Sequence, residues 1–143
     1  EMELGRTLAS IFEQVVLLQK IPQIIYEVKI EVVSSGGLLD LVPAVLGGIT
    51  ALAMADVEMS DLIGCSCACF AGDTGDVLID PTSEEMQSTR GFCLVASLVG
   101  SDSVAHTLQQ GRMSVVDSIK LTEAAAGACK AMEAPMRESL LPQ

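Results

Sequence analysis

Three cysteines alternate along one short run, Cys65-Ser66-Cys67-Ala68-Cys69, and thiols at that density raise zinc or redox chemistry. Zinc needs thiolates converging on one point, each about 2.3 Å from the metal. On a strand, residues two apart point the same way but sit roughly 6.6 Å apart along the axis. Three such cysteines form a row and not a tetrahedral cage, so they are predicted to be buried structural thiols that stay reduced and hold no metal. His106 is the single histidine. A nucleophile–His–acid triad needs one, but no Gly-x-Ser-x-Gly elbow accompanies it. Gly36-Gly37 and Gly47-Gly48 are not followed by Lys-Ser/Thr, and no G-x-G-x-x-G occurs, so a turn and a close helix packing are predicted there in place of a phosphate loop. Asp73, Asp76 and Asp80, with Glu84 and Glu85 just beyond, are the acidic cluster with the makings of a divalent-metal site. Carboxylates across a tight hairpin can converge on Mg²⁺ or Mn²⁺; a merely solvated acidic turn is the alternative.

These residues must be positioned by the elements around them. Leu4, Leu8, Ile11, Phe12, Val15 and Leu18 fall at helical spacing, which predicts an amphipathic helix stopped by Pro22. From Gln23 the period changes to two, with Tyr26, Val28, Ile30 and Val32 alternating with Glu27, Lys29 and Glu31. A half-buried strand is expected there. Ser34-Ser35-Gly36-Gly37 ends it, and an apolar helix follows to about Met54. The uncharged run Leu41 to Ala55, broken by Pro43, Gly47 and Gly48, is too short to span a bilayer and is expected to be a buried core helix. Leu62 to Phe70 reads as a strand, Gly72-Asp73-Thr74-Gly75 as a turn and Asp76 to Asp80 as the return. Thr82 to Arg90 reads as a polar connection, Phe92 to Val99 as a strand, and Val104 to Leu108 as a short strand after the turn Gly100-Ser101-Asp102-Ser103. Ser114 as N-cap, with Asp117 three residues on, opens a last helix to about Met132, beyond which Pro135 and Pro142 are expected to fray the tail.

The chain has 143 residues, 50% of them hydrophobic and 19% charged, enough apolar material for one core and too much for disorder. Nineteen acidic residues against eight basic ones give a net charge of −11, which opposes a phosphate backbone and excludes a basic-patch nucleic-acid grip. Three Phe, one Tyr and no Trp leave few platforms for stacking bases. The odd count of five cysteines does not suit a secreted disulfide framework, so a reducing intracellular compartment is expected. The N-terminus begins Glu-Met-Glu without a basic, then apolar, leader. It opens in mid-helix, and the helices offer more surface than about five short strands can cover, so the second half of a larger domain is expected.

The run Asp56 to Ile63, then Cys65-Ser66-Cys67-Ala68-Cys69-Phe70-Ala71-Gly72, then Gly75-Asp76-Val77-Leu78-Ile79-Asp80-Pro81 and Glu84-Glu85, resembles the second half of the RNase PH fold. The likeness is to the RNase PH-like subunits of the eukaryotic RNA exosome ring. The resemblance implies an α+β fold, the ribosomal protein S5 domain 2-like mixed sheet packed with helices, of which residues 1–143 would form the C-terminal portion. Active members of the family are 3′→5′ exoribonucleases that hold phosphate with a Thr-Arg pair after a Gly-Gly; here Leu38-Leu39 follow Gly36-Gly37. Neither leucine can hydrogen-bond or neutralise a phosphate. The family's metal and acid function uses two aspartates across the hairpin. Asp80 matches the second, the first position falls on Thr74, and Asp73 is adjacent, so Asp80 and Asp73 are at most vestigial catalytic candidates.

The resemblance therefore implies a non-catalytic structural subunit without cofactor or bound metal. Its partners would be other RNase PH-like subunits in a six-membered ring and cap subunits with RNA-binding domains. RNA would be met indirectly through the ring channel, with no membrane contact. Its location would be the nucleus and nucleolus, and also the cytoplasm. The alternatives are an active phosphate-dependent exoribonuclease using Asp80 with Asp73, and an unrelated α+β interaction domain.

Overall fold

The computed structural model describes residues 2–20, 23–72, 75–101 and 103–141. Two strands, β1 (Ile63–Phe70) and β3 (Gly91–Leu98), are buried along nearly their whole length. A strand is buried on both faces only when something covers each. Helices α1 (Met2–Glu13) and α2 (Leu41–Met54) cover one face, and α4 (Val115–Ala131) covers the other. The first face gathers Cys65, Cys67, Cys69, Leu94 and Ala96 with Ile11, Phe12 and Val45. The second gathers Ala68, Phe70, Cys93 and Val95 with Leu121, Ala125 and Cys129. Alternation along β1 thus feeds two cores at once.

The four strands run in the order β2-β1-β3-β4, with β2 (Val77–Ile79) and β4 (Val104–Gly111) at the edges. Sequence reading expected a mixed sheet within the α+β fold. The α+β fold forms, and among the described residues every pairing is antiparallel: two hairpins, β1–β2 and β3–β4, joined through the central β1–β3 pair. Ala68 faces Ile79 in the β1–β2 hairpin, and Cys67 faces Leu94 in β1–β3. The β3–β4 register slips once, at Ala96/Ser97, and β4 runs on to Gly111, past the expected end at Leu108.

Glycine permits two close approaches. A Cβ on Gly48 would meet the ring of Phe12, so α1 lies directly on α2, as the Gly47-Gly48 reading predicts. A Cβ on Gly64 would meet the backbone carbonyl of Cys129, which fixes how closely α4 lies on β1.

Several sequence expectations are corrected. The opening helix ends at Glu13, so Val15 and Leu18 lie beyond it, and its expected stop, Pro22, lies outside the described residues. The segment from Gln23 to Val33 forms neither helix nor strand and joins no strand ladder among the described residues, and Gln23 sits in a turn at φ 81°. Its period of two is right for a strand, yet a strand also needs a neighbour to take its N–H and C=O groups. Tyr26 and Val28 are half-buried and, with Ile25, line an open groove of about 850 Å³ against α1, while Ile25 and Val33 are almost wholly exposed. The polar connection Thr82 to Arg90 contains a helix, α3 (Ser83–Ser88), closed by a capping box between Thr82 and Glu85. Pro135 does not fray the tail, since α5 (Glu133–Leu140) takes it into its first turn, where a missing N–H costs nothing. Finally, α2 is buried on one side only. With the 3-10 turn Gly37–Asp40 before it, the stretch Gly37–Met54 reaches 18 residues at a mean hydropathy of 1.8, long and apolar enough to cross a membrane by composition. Its inner side, Leu41, Val45, Ile49 and Leu52, is instead packed in the core beneath the sheet.

Candidate functional site at the acidic hairpin

The hairpin between β1 and β2 delivers Asp80 to a defined place. Its backbone N–H donates to Cys67 O at 2.8 Å, one residue beyond the last ladder pair. That bond requires the chain to turn sharply, and Asp80 does so at φ 52°, a left-handed conformation that Asp tolerates better than most residues. The turn brings the carboxylate back over β1, where Oδ1 accepts from Ser66 Oγ at 3.2 Å and from Cys67 N at 3.5 Å. Sequence reading placed this carboxylate on the N–H groups of the turn that follows; these partners lie on the strand before it. Pro81 is buried and anchors the corner.

Among the described residues the other acidic candidates do not group with it into a metal site. Asp73 and Thr74 lie outside the described residues. Asp76 and Glu84 are exposed. Glu85 is committed to its helix, its Oε2 accepting from Thr82 N at 2.7 Å and from Thr82 Oγ1 at 3.0 Å. Among the described residues no three His, Cys, Asp or Glu side chains are grouped to hold a metal ion.

The Gly36-Gly37 turn comes to rest beside this hairpin. A Cβ on Gly36 would lie 3.3 Å from Ser83 Oγ, three residues beyond Asp80. Gly37 adopts φ 76°, which only glycine takes freely. The donors of this turn are already used: Gly36 N donates to Asp40 Oδ1 at 2.7 Å and Ser35 Oγ to Asp40 Oδ2 at 2.6 Å, while Gly37 N donates to Ser35 Oγ at 3.2 Å. The Ser35 hydroxyl, and after it the Gly36 N–H, hold the Asp40 carboxyl below the usual carboxylate range. Leu38 is exposed and Leu39 packs against the core. The loop therefore presents an internal carboxylate and two aliphatic side chains, none of which attracts an anion.

The cysteines and the histidine stand apart from this corner. Cys65, Cys67 and Cys69 are at most 1% exposed in the α1/α2 core, and Cys93 and Cys129 are equally buried in the α4 core; all five thiols are free. Burial pushes the Cys67 thiol up to about 12 and raises Cys65, Cys69 and Cys129 as well, which leaves almost no thiolate at neutral pH. The row read from the sequence is thus a packing row. His106 is half-buried on β4 opposite Ala96, two strands away from β1. Sequence reading gave no role to Ser66, whose hydroxyl is fully buried yet bonded to Asp80. A small polar residue in an otherwise apolar strand was the signal.

No family model matches the chain. Exosome complex component MTR3 of Mus musculus is 32% identical to it over 119 residues, which is 82% of this chain and 43% of that protein. The crystal structure of rice (Oryza sativa) Rrp46 superposes with a TM-score of 0.81 at 26% identity, over 98% of this chain and 63% of that one. The chain thus spans less than half the length of the curated relative it matches. The resemblance expected over nearly the whole chain is found, over 82% of it in sequence and 98% in structure: the chain has the RNase PH-like fold and is similar to RNase PH-like subunits of the exosome.

Proposed function

We propose that this chain forms the C-terminal portion of an RNase PH-like domain, residues 1–143, and serves as a non-catalytic structural subunit of an exosome ring. It would pair with other RNase PH-like subunits in a six-membered ring, carry cap subunits, and support 3′→5′ RNA processing in nucleus, nucleolus and cytoplasm. The observation that carries the reading is the corner between the Gly36-Gly37 turn and Asp80. Attack on an RNA diester by phosphate gathers several negative charges, which a working site must offset with cations and preorganised donors. At this corner the donors of the turn are taken by Asp40 and Ser35, Leu38 and Leu39 supply no charge, and the one matched carboxylate is bonded back to Ser66 and Cys67. The net charge of −11 suits a subunit held among more basic neighbours better than a primary RNA binder.

The period-two segment from Gln23 to Val33, which joins no ladder among the described residues, fits the same reading, since an incomplete sheet needs neighbours. Co-expression with RNase PH-like exosome subunits tests it. The expected result is a stoichiometric complex that survives gel filtration and rescues a chain that aggregates alone. A cooperatively folding monomer that ignores those subunits would overturn it.

A further inference from the structure

The charge of this chain is unevenly placed. Arg90, Arg112, Lys120 and Lys130 are four of its eight basic residues, and between positions 90 and 130 they meet only Asp102, Asp117 and Glu123 of its nineteen acidic ones. α4 itself carries Asp117 and Glu123 against Lys120 and Lys130, so it is neutral within an acidic protein. Asp117 is taken up there by Arg90, 3.5 Å from its Nη2.

On the outward side of α4 three β-branched aliphatic residues stand in solvent: Val115 is 77% exposed, Val116 61% and Ile119 52%. Ile119 follows Val115 by four positions and Val116 by three, so the three side chains share one surface. Lys120 follows Val116 by four positions and the exposed Arg112 stands three positions before the helix, while the exposed Glu123, four positions after Ile119, is the acidic neighbour. Local folding does not ask for these residues. Ser114 already caps the helix by accepting from Asp117 N at 3.1 Å, and Leu121, Ala125 and Cys129 already bury its inner face. Valine and isoleucine are poorer helix formers than the residues an exposed helix surface usually carries.

We propose that this face of α4 is a docking surface for a partner protein segment that presents apolar side chains flanked by Asp or Glu. The aliphatic centre asks for an apolar counterpart, and Arg112 and Lys120 select acidic flanks against the repulsion of an otherwise acidic chain. RNA shares the acidic charge but is disfavoured, because bases need rings to stack on. Phe12, Phe70 and Phe92 are buried, and Tyr26 lies in the groove against α1, on the opposite side of the sheet.

The test is a fluorescence-anisotropy titration of the full chain, together with any subunits it purifies with. The probes are a dye-labelled peptide of alternating Glu and Leu, its Lys-for-Glu counterpart, and poly(U) RNA. Saturable binding of the acidic peptide is expected. It should weaken about tenfold or more in Arg112→Glu/Lys120→Glu and in Val116→Ser/Ile119→Ser, and tighten in Glu123→Lys. Because all five positions are exposed, circular dichroism and the unfolding midpoint should stay unchanged. Equal binding of the Lys-for-Glu peptide, indifference to charge reversal, displacement of the acidic peptide by poly(U), or no saturable binding of it would each overturn the proposal.

Discussion

Asp80 Oδ1 accepts the hydroxyl of Ser66 at 3.2 Å, so the best-matched carboxylate of the acidic hairpin is bonded to a side chain that is fully buried in the sheet. Removing it strands a buried hydroxyl and leaves a residue without local hydrogen bonding at φ 52°. Asp80→Ala is therefore expected to cost about 1–3 kcal/mol. Asp80→Asn, which keeps an acceptor and tolerates the same backbone, should cost clearly less. Urea denaturation of both variants measures the order; equal losses would show that the Ser66 bond contributes nothing.

The buried thiols couple stability to alkaline pH. The Cys67 thiol is raised from 9.0 to about 12, so the folded state holds its proton while the unfolded state releases it. The stabilisation is complete below about pH 9 and is lost as pH climbs from there through about 12. Unfolding free energy should fall across that window, and Cys67→Ala should flatten the slope while costing stability at pH 7. A thiol reagent at pH 8 should modify Cys65, Cys67 and Cys69 only as fast as the protein opens.

Two glycines set the spacing of the layers. Gly48→Ala drives a methyl into the Phe12 ring, with an expected cost of about 1–3 kcal/mol that Phe12→Leu partly relieves. Gly64→Ala meets the Cys129 backbone carbonyl, which cannot rotate away, and should cost more with no single rescue. Melting temperatures of the three variants and the Gly48→Ala/Phe12→Leu pair decide this.

Amides of residues 24–33 should exchange with solvent fast in the chain alone, since no ladder among the described residues protects them, whereas those of β1 and β3 exchange last. Assembly with ring subunits should slow the exchange of 24–33. Unchanged fast exchange in the complex would detach this segment from the interface.

Periodicity made most of this fold legible. The rows of Ile11, Phe12 and Val15 and of Cys65, Cys67 and Cys69 read directly as buried faces, and Ser114 marked the start of α4. The segment after Gln23 misled because alternation reports which side chains could share a face, not whether a neighbouring strand is there to bond. The short helix α3 is too polar to show a hydrophobic stripe, and its only signal was Thr82 with Glu85 three residues on. At the site, the residue types were readable and their bonds were not. That Asp80 reaches Ser66 depends on the hairpin register that sets Ala68 against Ile79, and that Asp40 fills the Gly36 turn depends on the 3-10 turn between them.

The central claim, a subunit that shapes a ring without doing chemistry, is tested most directly by phosphorolysis. A purified ring containing this chain would be given 5′-labelled RNA, magnesium and millimolar phosphate, and compared with the same ring carrying Asp80→Ala. The account predicts the same release of nucleoside diphosphates from both, whatever the partners contribute, with only the stability of the variant reduced. Release that disappears in Asp80→Ala while the ring stays assembled would make Asp80 a catalytic residue and contradict it.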